Sequence, residues 1–249
     1  MIKLVEYKRP IDYSMPRQCG MFPPPPIMYR NTRAIAVVFQ CAPGVKEKCL
    51  PPELESTENG LDIIAILEYP ETTIGPYNES LILLNCMYKG NPGLFVYNIY
   101  VDDDVALTAG REIWGFPKKM CEINLTPIED NKVRGFLTRK GITFLEVDIE
   151  IKNVPPGLDL KGMFESMPYY NLKIIPDVEN NSKPAFRQLT ETYIKIEKIN
   201  KSLAAKIIYV KSKYSSYDIC HEILKDADKT LGAIYLEGDL ILPNGHILV

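Results

Sequence analysis

Three apolar runs at hairpin spacing constrain the fold of this chain more than any other feature. They read DIIAILEYPE (62–71), ESLILLNCMYK (79–89) and LFVYNIYVD (94–102), and the loops between them contain Gly, Pro and Asn. Runs rich in Ile, Leu, Val and Tyr that are separated by such loops predict consecutive antiparallel strands. The body of the protein is therefore expected to be a β-sheet.

The rest of the chain extends this strand-rich pattern, with two interruptions. Residues 103–114 and 217–226 carry apolar residues at helical spacing and predict short helices. Because no linker or repeat divides the chain, we expect a single domain over residues 1–249, of the α+β class with mostly antiparallel β structure and a few helices. Strands whose side chains alternate inward and outward can line a closed apolar cavity. Further strands are predicted for AIAVVF (34–39), CEINLTPI, VRGFLTR and TFLEVDIEIK (within 121–152), LKIIPD (172–177), TETYIKIEKI (190–199), AKIIYVKS (205–212) and GAIYLEGDLIL (232–242).

The N-terminal stretch, residues 1–33, is irregular and contains four consecutive prolines in MFPPPPIMYRN. Such a run favours an extended polyproline conformation. Polyproline segments can bind the aromatic grooves of other domains. No disordered flank surrounds this one, which favours a rigid arm that lies over the body of the protein.

Charge and hydropathy exclude several classes of protein. The net charge of −3 gives no electrostatic reason to expect nucleic acid or an anionic membrane as a partner. The first residues, MIKLVEYKRP, are charged and do not resemble a signal peptide. The apolar runs are shorter than the roughly 18 residues that a membrane span needs. We therefore expect a cytoplasmic protein.

Residues that typically hold metals or cofactors are scarce. None of the six cysteines forms a CxxC pair, and without a secretory signal they are expected to be reduced and mostly buried. The only histidines, His221 and His246, lie apart in sequence, which does not favour a zinc site or a His-based triad. The chain has no GxGxxG motif and no P-loop. We expect neither a metal nor an organic cofactor.

A lysine doublet, Lys118–Lys119, follows the apolar run IWGFP between a predicted helix and a predicted strand. Neighbouring side chains of an extended segment point to opposite faces. One amine can therefore face a cavity walled by Trp114 and Phe116, where desolvation disfavours its charged form, while the other faces solvent or a carboxylate. An uncharged lysine can form an imine with a ketone. The alternative is that both are ordinary surface charges, because Lys-Lys doublets also arise by chance.

Four stretches together resemble the acetoacetate decarboxylase family. They are YVDDDVALTAGREIWGFPKKM with its Pro-Lys-Lys, GPYNES, NLKIIPDV and the closing GDLILPNGHIL. Each is weak alone, but their common spacing over nearly the whole chain is specific. The resemblance implies a closed β-barrel or cone that encloses an apolar cavity. It also implies a lysine activated beside a cation, a device for which acetoacetate decarboxylase itself is the established example.

The resemblance assigns catalytic roles to three residues. Lys118 matches the imine-forming lysine, Lys119 matches the neighbouring cation that disfavours the charged form of the first lysine, and Glu79 matches the acidic residue near the imine. Without that register, Glu79 would be interpreted as an exposed hairpin residue. Arg111 and Glu112 match the family's Gly-Arg-Glu, which we interpret as a structural ion pair in preference to catalytic machinery.

The expected substrate-binding residues are less firmly assigned. Phe116 and Met120 are candidates for cavity lining, although Phe116 fits an ordinary core equally well. Trp114, beside the doublet, suggests a pocket shape different from one suited to acetoacetate.

One position departs from the family pattern. The family has an arginine directly after Asn in the N-terminal strand, whereas this chain has Thr32 there, in RNTR. Either Arg30 or Arg33 replaces the missing cation near Glu79, or both are solvated ends of an edge strand.

The activity implied by the resemblance is decarboxylation of acetoacetate or a related small β-keto acid through a lysine Schiff base, with release of CO2 and a ketone. Two alternatives remain open: a Schiff-base aldolase or dehydratase that acts on a keto acid, and a non-catalytic protein that binds a small molecule in the same cavity. The expected partner is a small keto acid, and family members imply a homo-oligomer.

Overall fold

One hydrogen-bonded sheet forms most of the protein in the computed structural model, which describes residues 10–41, 44–57, 60–157, 159–218, 220–224 and 230–249. Its strands are β1 (Ile27–Phe39), β2 (Glu55–Ser56), β3 (Asp62–Tyr69), β4 (Glu71–Thr72), β5 (Tyr77–Tyr88), β6 (Asn91–Val101), β7 (Lys118–Met120), β8 (Glu122–Leu125), β9 (Lys132–Arg139), β10 (Ile142–Ile151), β11 (Tyr169–Pro176), β12 (Pro184–Thr192), β13 (Lys195–Ser212), β14 (Gly232–Leu242) and β15 (His246–Ile247). The helices are α1 (Lys46–Cys49), α2 (Asp104–Ala109), α3 (Leu160–Ser166) and α4 (Cys220–Leu224), and a π-helical turn (Gly110–Trp114) follows α2.

The sheet confirms the predicted fold class. Its main path runs β15–β12–β11–β6–β5–β3–β1–β14–β13–β10–β9–β8, with β2, β4 and β7 paired beside it. The pairs are antiparallel except those of β6 with β7 and with β11. One qualification applies: within the described residues the path has two free ends, β15 and β8, so backbone hydrogen bonds do not close it into a barrel.

Two apolar clusters lie on opposite faces of β1, β3 and β5. Ile64 and Ile82 belong to one cluster, whereas Ala65 and Leu83, the next residues along each strand, belong to the other. A strand covered on both faces needs apolar residues at every position, which explains why DIIAILEY reads as a continuous apolar run. The second face carries the cavity described below.

Several predicted boundaries shift. Strand β1 begins at Ile27, so residues 27–33 belong to the sheet and not to the predicted arm. The reason is alternation: Ile27 and Tyr29 are buried while Met28 between them is half-buried, a period of two that the charged residues further along the strand conceal in the sequence. Residues 1–9 of the arm lie outside the described residues.

The two predicted helices are present in modified form. Residues 104–109 are α-helical and 110–114 form the π turn, which together match the prediction over 103–114. The second helix is α4, shorter than the predicted 217–226, and residues 219, 225 and 226 lie outside the described residues. The strand predicted over 190–199 is broken at residues 193 and 194, where β12 ends and β13 has not begun.

All six cysteines are free thiols. Cys86, Cys121 and Cys220 are buried, and burial raises the pKa of each of these thiols to about 12. None of the helices in the described part of the chain has the length and apolar character required to cross a membrane.

Candidate active site

A cavity of about 130 Å³ lies against β1, β3, β5 and β14. Side chains from β6, β7, β11, α3, the start of β13 and the segments just before β7 and β13 complete its walls. Among the described residues that line it, Lys118 and Glu79 are the only charged ones. The lining comprises Tyr29, Ala34, Ala36, Ile63, Ala65, Leu67, Tyr69, Glu79, Leu81, Leu83, Val96, Ile99, Phe116, Lys118, Leu160, Phe164, Tyr169, Ile194, Ile196, Ile234, Leu236, Leu240 and Leu242.

Lys118 and Glu79 form a buried pair inside this cavity. Both residues are 5% exposed, and Lys118 Nζ lies 2.7 Å from Glu79 Oε2. The amine also lies 5.5 Å from the ring centre of Tyr77 and 5.8 Å from that of Phe116. The lysine amine is therefore shielded from bulk water, with a single carboxylate as its ion-pair partner among the described residues.

Three buried tyrosines lie near Glu79, and one of them is hydrogen-bonded to it. The Tyr69 hydroxyl donates to Glu79 Oε1 at 3.1 Å, and the Tyr77 hydroxyl donates to the Tyr29 hydroxyl at 3.2 Å. Burial, followed by the nearby Glu79 charge, raises the pKa of Tyr69 and of Tyr29 well above the usual value, so both phenols stay protonated. Tyr29 lines the cavity and accepts from Tyr77, which leaves its own proton available to a ligand.

The backbone around the π turn directs Lys118 into the cavity. Gly115, in the left-handed conformation at φ 81°, ends the turn, and the Phe116 amide donates back to the Gly110 carbonyl at 3.0 Å. The Lys118 amide donates to the Phe116 carbonyl at 2.8 Å across Pro117, which forms a tight turn into β7. π turns of this kind often mark functional sites.

Arg111 holds the same segment in place from outside. Its guanidinium donates to the Lys118 carbonyl at 3.2 Å. No ion pair joins Arg111 to Glu112 among the described residues, so the partner predicted from the sequence is replaced by the backbone of Lys118. The structural role expected for Arg111 fits this contact.

Gly110 leaves space for the stem of Lys118, which leads to a first prediction. A Cβ at position 110 would lie 2.5 Å from Cδ and 2.6 Å from Cε of Lys118. The flexible stem would yield, so Gly110→Ala should fold but displace the amine from Glu79. Because misplacing a reacting group by about 1 Å costs on the order of 10²-fold in rate, we expect at least a tenfold loss of turnover.

Gly232→Ala is the matched control, because an added Cβ there meets nothing within 4 Å. It should leave turnover unchanged. Steady-state assays of both variants, each with its circular dichroism spectrum, make the comparison. Wild-type turnover in folded Gly110→Ala would show that the position of the Lys118 stem does not matter.

Lys119 points away from the cavity, as alternation along a strand predicts. Its Nζ lies 3.5 Å from Asp218 Oδ1, and its side chain is one-third exposed. Asp218 is buried and also accepts from Arg139 at 3.3 Å. The second lysine of the doublet therefore faces a carboxylate that it shares with Arg139.

The two candidate arginines do not reach the cavity. Arg30 pairs with Glu197, and Arg33 donates to Glu68 at 2.6 Å and to the carbonyls of Leu125 and Thr126. Thr32 is buried but does not line the cavity either. The cation expected beside Glu79 is therefore not supplied by either arginine in this structure.

Of the aromatic and methionine candidates, only Phe116 is among the described residues that line the cavity. Phe116 lines the cavity, whereas Trp114 is buried behind it, stacked at 5.6 Å between ring centres. The Trp114 indole donates to the Pro243 carbonyl at 2.8 Å, which fixes it in the core. Met120 is 44% exposed and lies outside the cavity.

Tyr69 and Tyr29 are site residues that the sequence analysis did not identify. Strand register would have revealed Tyr69: Leu67 pairs with Glu79, so Tyr69, two residues further on, shares its face. Among the described residues, no three His, Cys, Asp or Glu side chains come together in an arrangement suited to a metal ion.

Comparison with known proteins agrees with the family resemblance of the four sequence stretches. The family model described as Acetoacetate decarboxylase (ADC) matches residues 10–248. The relative named Acetoacetate decarboxylase 3 from Mesorhizobium japonicum is 24% identical over 241 residues, which cover 95% of this chain and 90% of that protein.

Two solved structures show the same fold. The crystal structure of acetoacetate decarboxylase from Legionella pneumophila superposes with a TM-score of 0.86 at 26% identity, covering 98% of this chain and 96% of the other. The enduracididine biosynthesis enzyme MppR complexed with pyruvate superposes with a TM-score of 0.79 at 17% identity, covering 96% and 98%.

Proposed function

The chain belongs to the acetoacetate decarboxylase family, and we propose that it decarboxylates a β-keto acid through an imine on Lys118. The observation that carries this proposal is the placement of one buried amine, 2.7 Å from one buried carboxylate, in an otherwise apolar cavity. A lysine held this way is screened from water and has a partner that can take its proton.

The first step is proton transfer within the Lys118–Glu79 pair. When the ammonium gives a proton to the carboxylate, two charged groups become an amine and a carboxylic acid. The Tyr69 hydroxyl still supports the other carboxyl oxygen. The free amine then attacks the ketone carbon of the substrate and forms a carbinolamine.

The protonated Glu79 returns its proton to the carbinolamine hydroxyl, which leaves as water and yields a cationic imine. The bond between the α-carbon and the carboxylate then breaks, and its electron pair forms the carbon–carbon double bond of an enamine. The π electrons of the C=N bond move to the nitrogen, and CO2 leaves. Protonation of the enamine carbon regenerates an imine, and water hydrolyses it to the ketone and free Lys118. No step requires a metal or an organic cofactor.

The cavity suits this sequence because its lining, among the residues that the structure describes, offers the substrate carboxylate no lysine or arginine other than Lys118. A second cation would stabilise the carboxylate in the ground state and so oppose the loss of CO2. Tyr29 lines the cavity, and its hydroxyl, which accepts from Tyr77, is a neutral donor available to orient the carboxylate.

Product analysis tests the proposal against its alternatives. Purified protein is incubated with acetoacetate, and CO2 and acetone are measured above the spontaneous rate. Release of both supports decarboxylation. Imine trapping without CO2 release would favour aldol or dehydration chemistry, a reading that the likeness to the pyruvate-bound enzyme keeps open, and neither trapping nor turnover would favour a binding protein.

The role proposed for Lys119 leads to a second prediction. The Lys119 side chain points away from Lys118, and its ammonium lies beside the Asp218 carboxylate, so the field of Lys119 at the reacting amine should be small. Lys119→Gln should therefore keep kcat within about fivefold and leave the pH–rate profile in place. A displaced profile, or a loss as large as that from removing Lys118, would show that the neighbouring cation activates the nucleophile.

A further inference from the structure

The cavity extends well beyond the reacting pair along the strands. Glu79, Leu81 and Leu83 occupy alternate positions on β5 and all face the cavity. Four residue steps at about 3.3 Å each make this face roughly 13 Å long. The Lys118–Glu79 pair therefore occupies only part of a long apolar channel.

Cross-strand pairing shows what lies beyond Glu79. Leu81 pairs with Ala65, Ala65 pairs with Ala36, and Ala36 pairs with Ile234, so one row of four apolar side chains crosses the sheet. The next row begins with Leu83 opposite Ile63. All six of these residues line the cavity, whereas Val38, which pairs with Ile63 on β1, does not. None of the described residues along this part of the lining is charged.

Two directly paired alanines create the space in that row. Ala65 and Ala36 end at Cβ, where Leu or Ile would project further into the cavity. A buried water needs roughly 10–15 Å³ and two to four polar partners, so a cavity of about 130 Å³ has the room but its alanine side lacks the partners. Apolar cavities of this kind stay dry or accept an apolar ligand.

From this geometry we propose that the substrate is a β-keto monocarboxylic acid whose alkyl chain is several carbons longer than that of acetoacetate and runs over Ala65 and Ala36. The inference rests on the proposed imine chemistry at Lys118. It excludes a second carboxylate or another charged group at the far end of the substrate chain, because the described residues on the alanine side offer such a group no partner.

Substrate length provides the first arm of the test. We expect kcat/KM to rise about fourfold per added methylene from acetoacetate through 3-oxohexanoate to 3-oxooctanoate, while the channel has room. Spontaneous decarboxylation is subtracted in each case. A value highest for acetoacetate and falling with chain length would overturn the inference and leave the proposed function intact.

Filling the channel provides the second arm. Ala65→Leu should lower kcat/KM for 3-oxooctanoate at least tenfold more than it lowers that for acetoacetate, because the row at Glu79 is unchanged. Ala185→Leu adds the same side chain at an exposed position of β12 and should change neither value. If Ala65→Leu does not fold, Ala36→Leu fills the same row from the neighbouring strand.

The outcomes distinguish a failure of the chain-length inference from a failure of the proposed function. Selective loss of the long substrate in either filled variant supports the extended-chain substrate. Equal loss of both substrates in a folded variant, or no loss of either, contradicts it. If the wild-type protein releases no CO2 from any of the three acids and forms no borohydride-stable adduct with them, the proposed function fails and the chain-length inference fails with it.

Discussion

Lys118→Ala is expected to abolish CO2 release, with a fall in kcat on the order of 10⁴-fold or more, as is typical when a covalent nucleophile is removed. No other lysine lines the cavity among the described residues, so no neighbouring amine replaces the lost one. The measurement is CO2 release from the best β-keto acid above the spontaneous rate. Thermal unfolding of the same sample verifies the fold.

Two variants make this result specific. Lys118→Arg keeps a cation of similar length but offers no amine that forms an imine under these conditions, so it should be as inactive as Lys118→Ala. Lys119→Ala removes the adjacent lysine, whose amine is bound to Asp218 outside the cavity, and should retain most of the activity. Substantial activity in Lys118→Ala would show that the reaction does not proceed through this residue.

Glu79→Gln is expected to lower kcat by roughly 10²–10³-fold, within the range attributed to general acid–base catalysis. Glutamine keeps the shape and still accepts from the Tyr69 hydroxyl, but it cannot take the proton of Lys118 or return it to the carbinolamine. Single-turnover trapping should show slow imine formation, which a purely structural role would not cause.

Glu68→Gln is the control for this prediction. Glu68 lies one residue before Tyr69, but it pairs with Arg33 and does not line the cavity. Its substitution should leave the rate of imine formation unchanged. Equal effects of the two substitutions would assign Glu79 a general structural role in the sheet and remove it from the proton-transfer steps.

Local patterns in the sequence predicted most of the sheet, because strand propensity and alternation are local properties. The run DIIAILEYPE is an example, since β3 occupies Asp62–Tyr69 within it. The start of β1 at Ile27 was missed because Arg30 and Arg33 interrupt the apolar pattern. The π turn was also missed, since its five residues carry the same spacing as a short α-helix.

The site was predicted in part, and the failures have a common cause. Resemblance brought Lys118 and Glu79 together across 39 residues of sequence, and the structure places them in contact. The partners of Arg30 and Arg33 were not predictable, because Glu197 lies 167 residues from Arg30 and only the folded sheet brings the two together. The channel over Ala65 and Ala36 likewise depends on which residues pair across the strands, and local patterns in the sequence do not reveal this register.

Trapping of the imine tests the central claim most directly. The protein is incubated with acetoacetate or a longer β-keto acid, reduced with sodium borohydride, digested and analysed by mass spectrometry. We predict one stable adduct, on the peptide that contains Lys118 and assigned to that residue by fragmentation, with none on Lys119. Folded protein that forms no adduct with any of these acids, or one only on exposed lysines, would contradict the claim that the buried amine is the nucleophile.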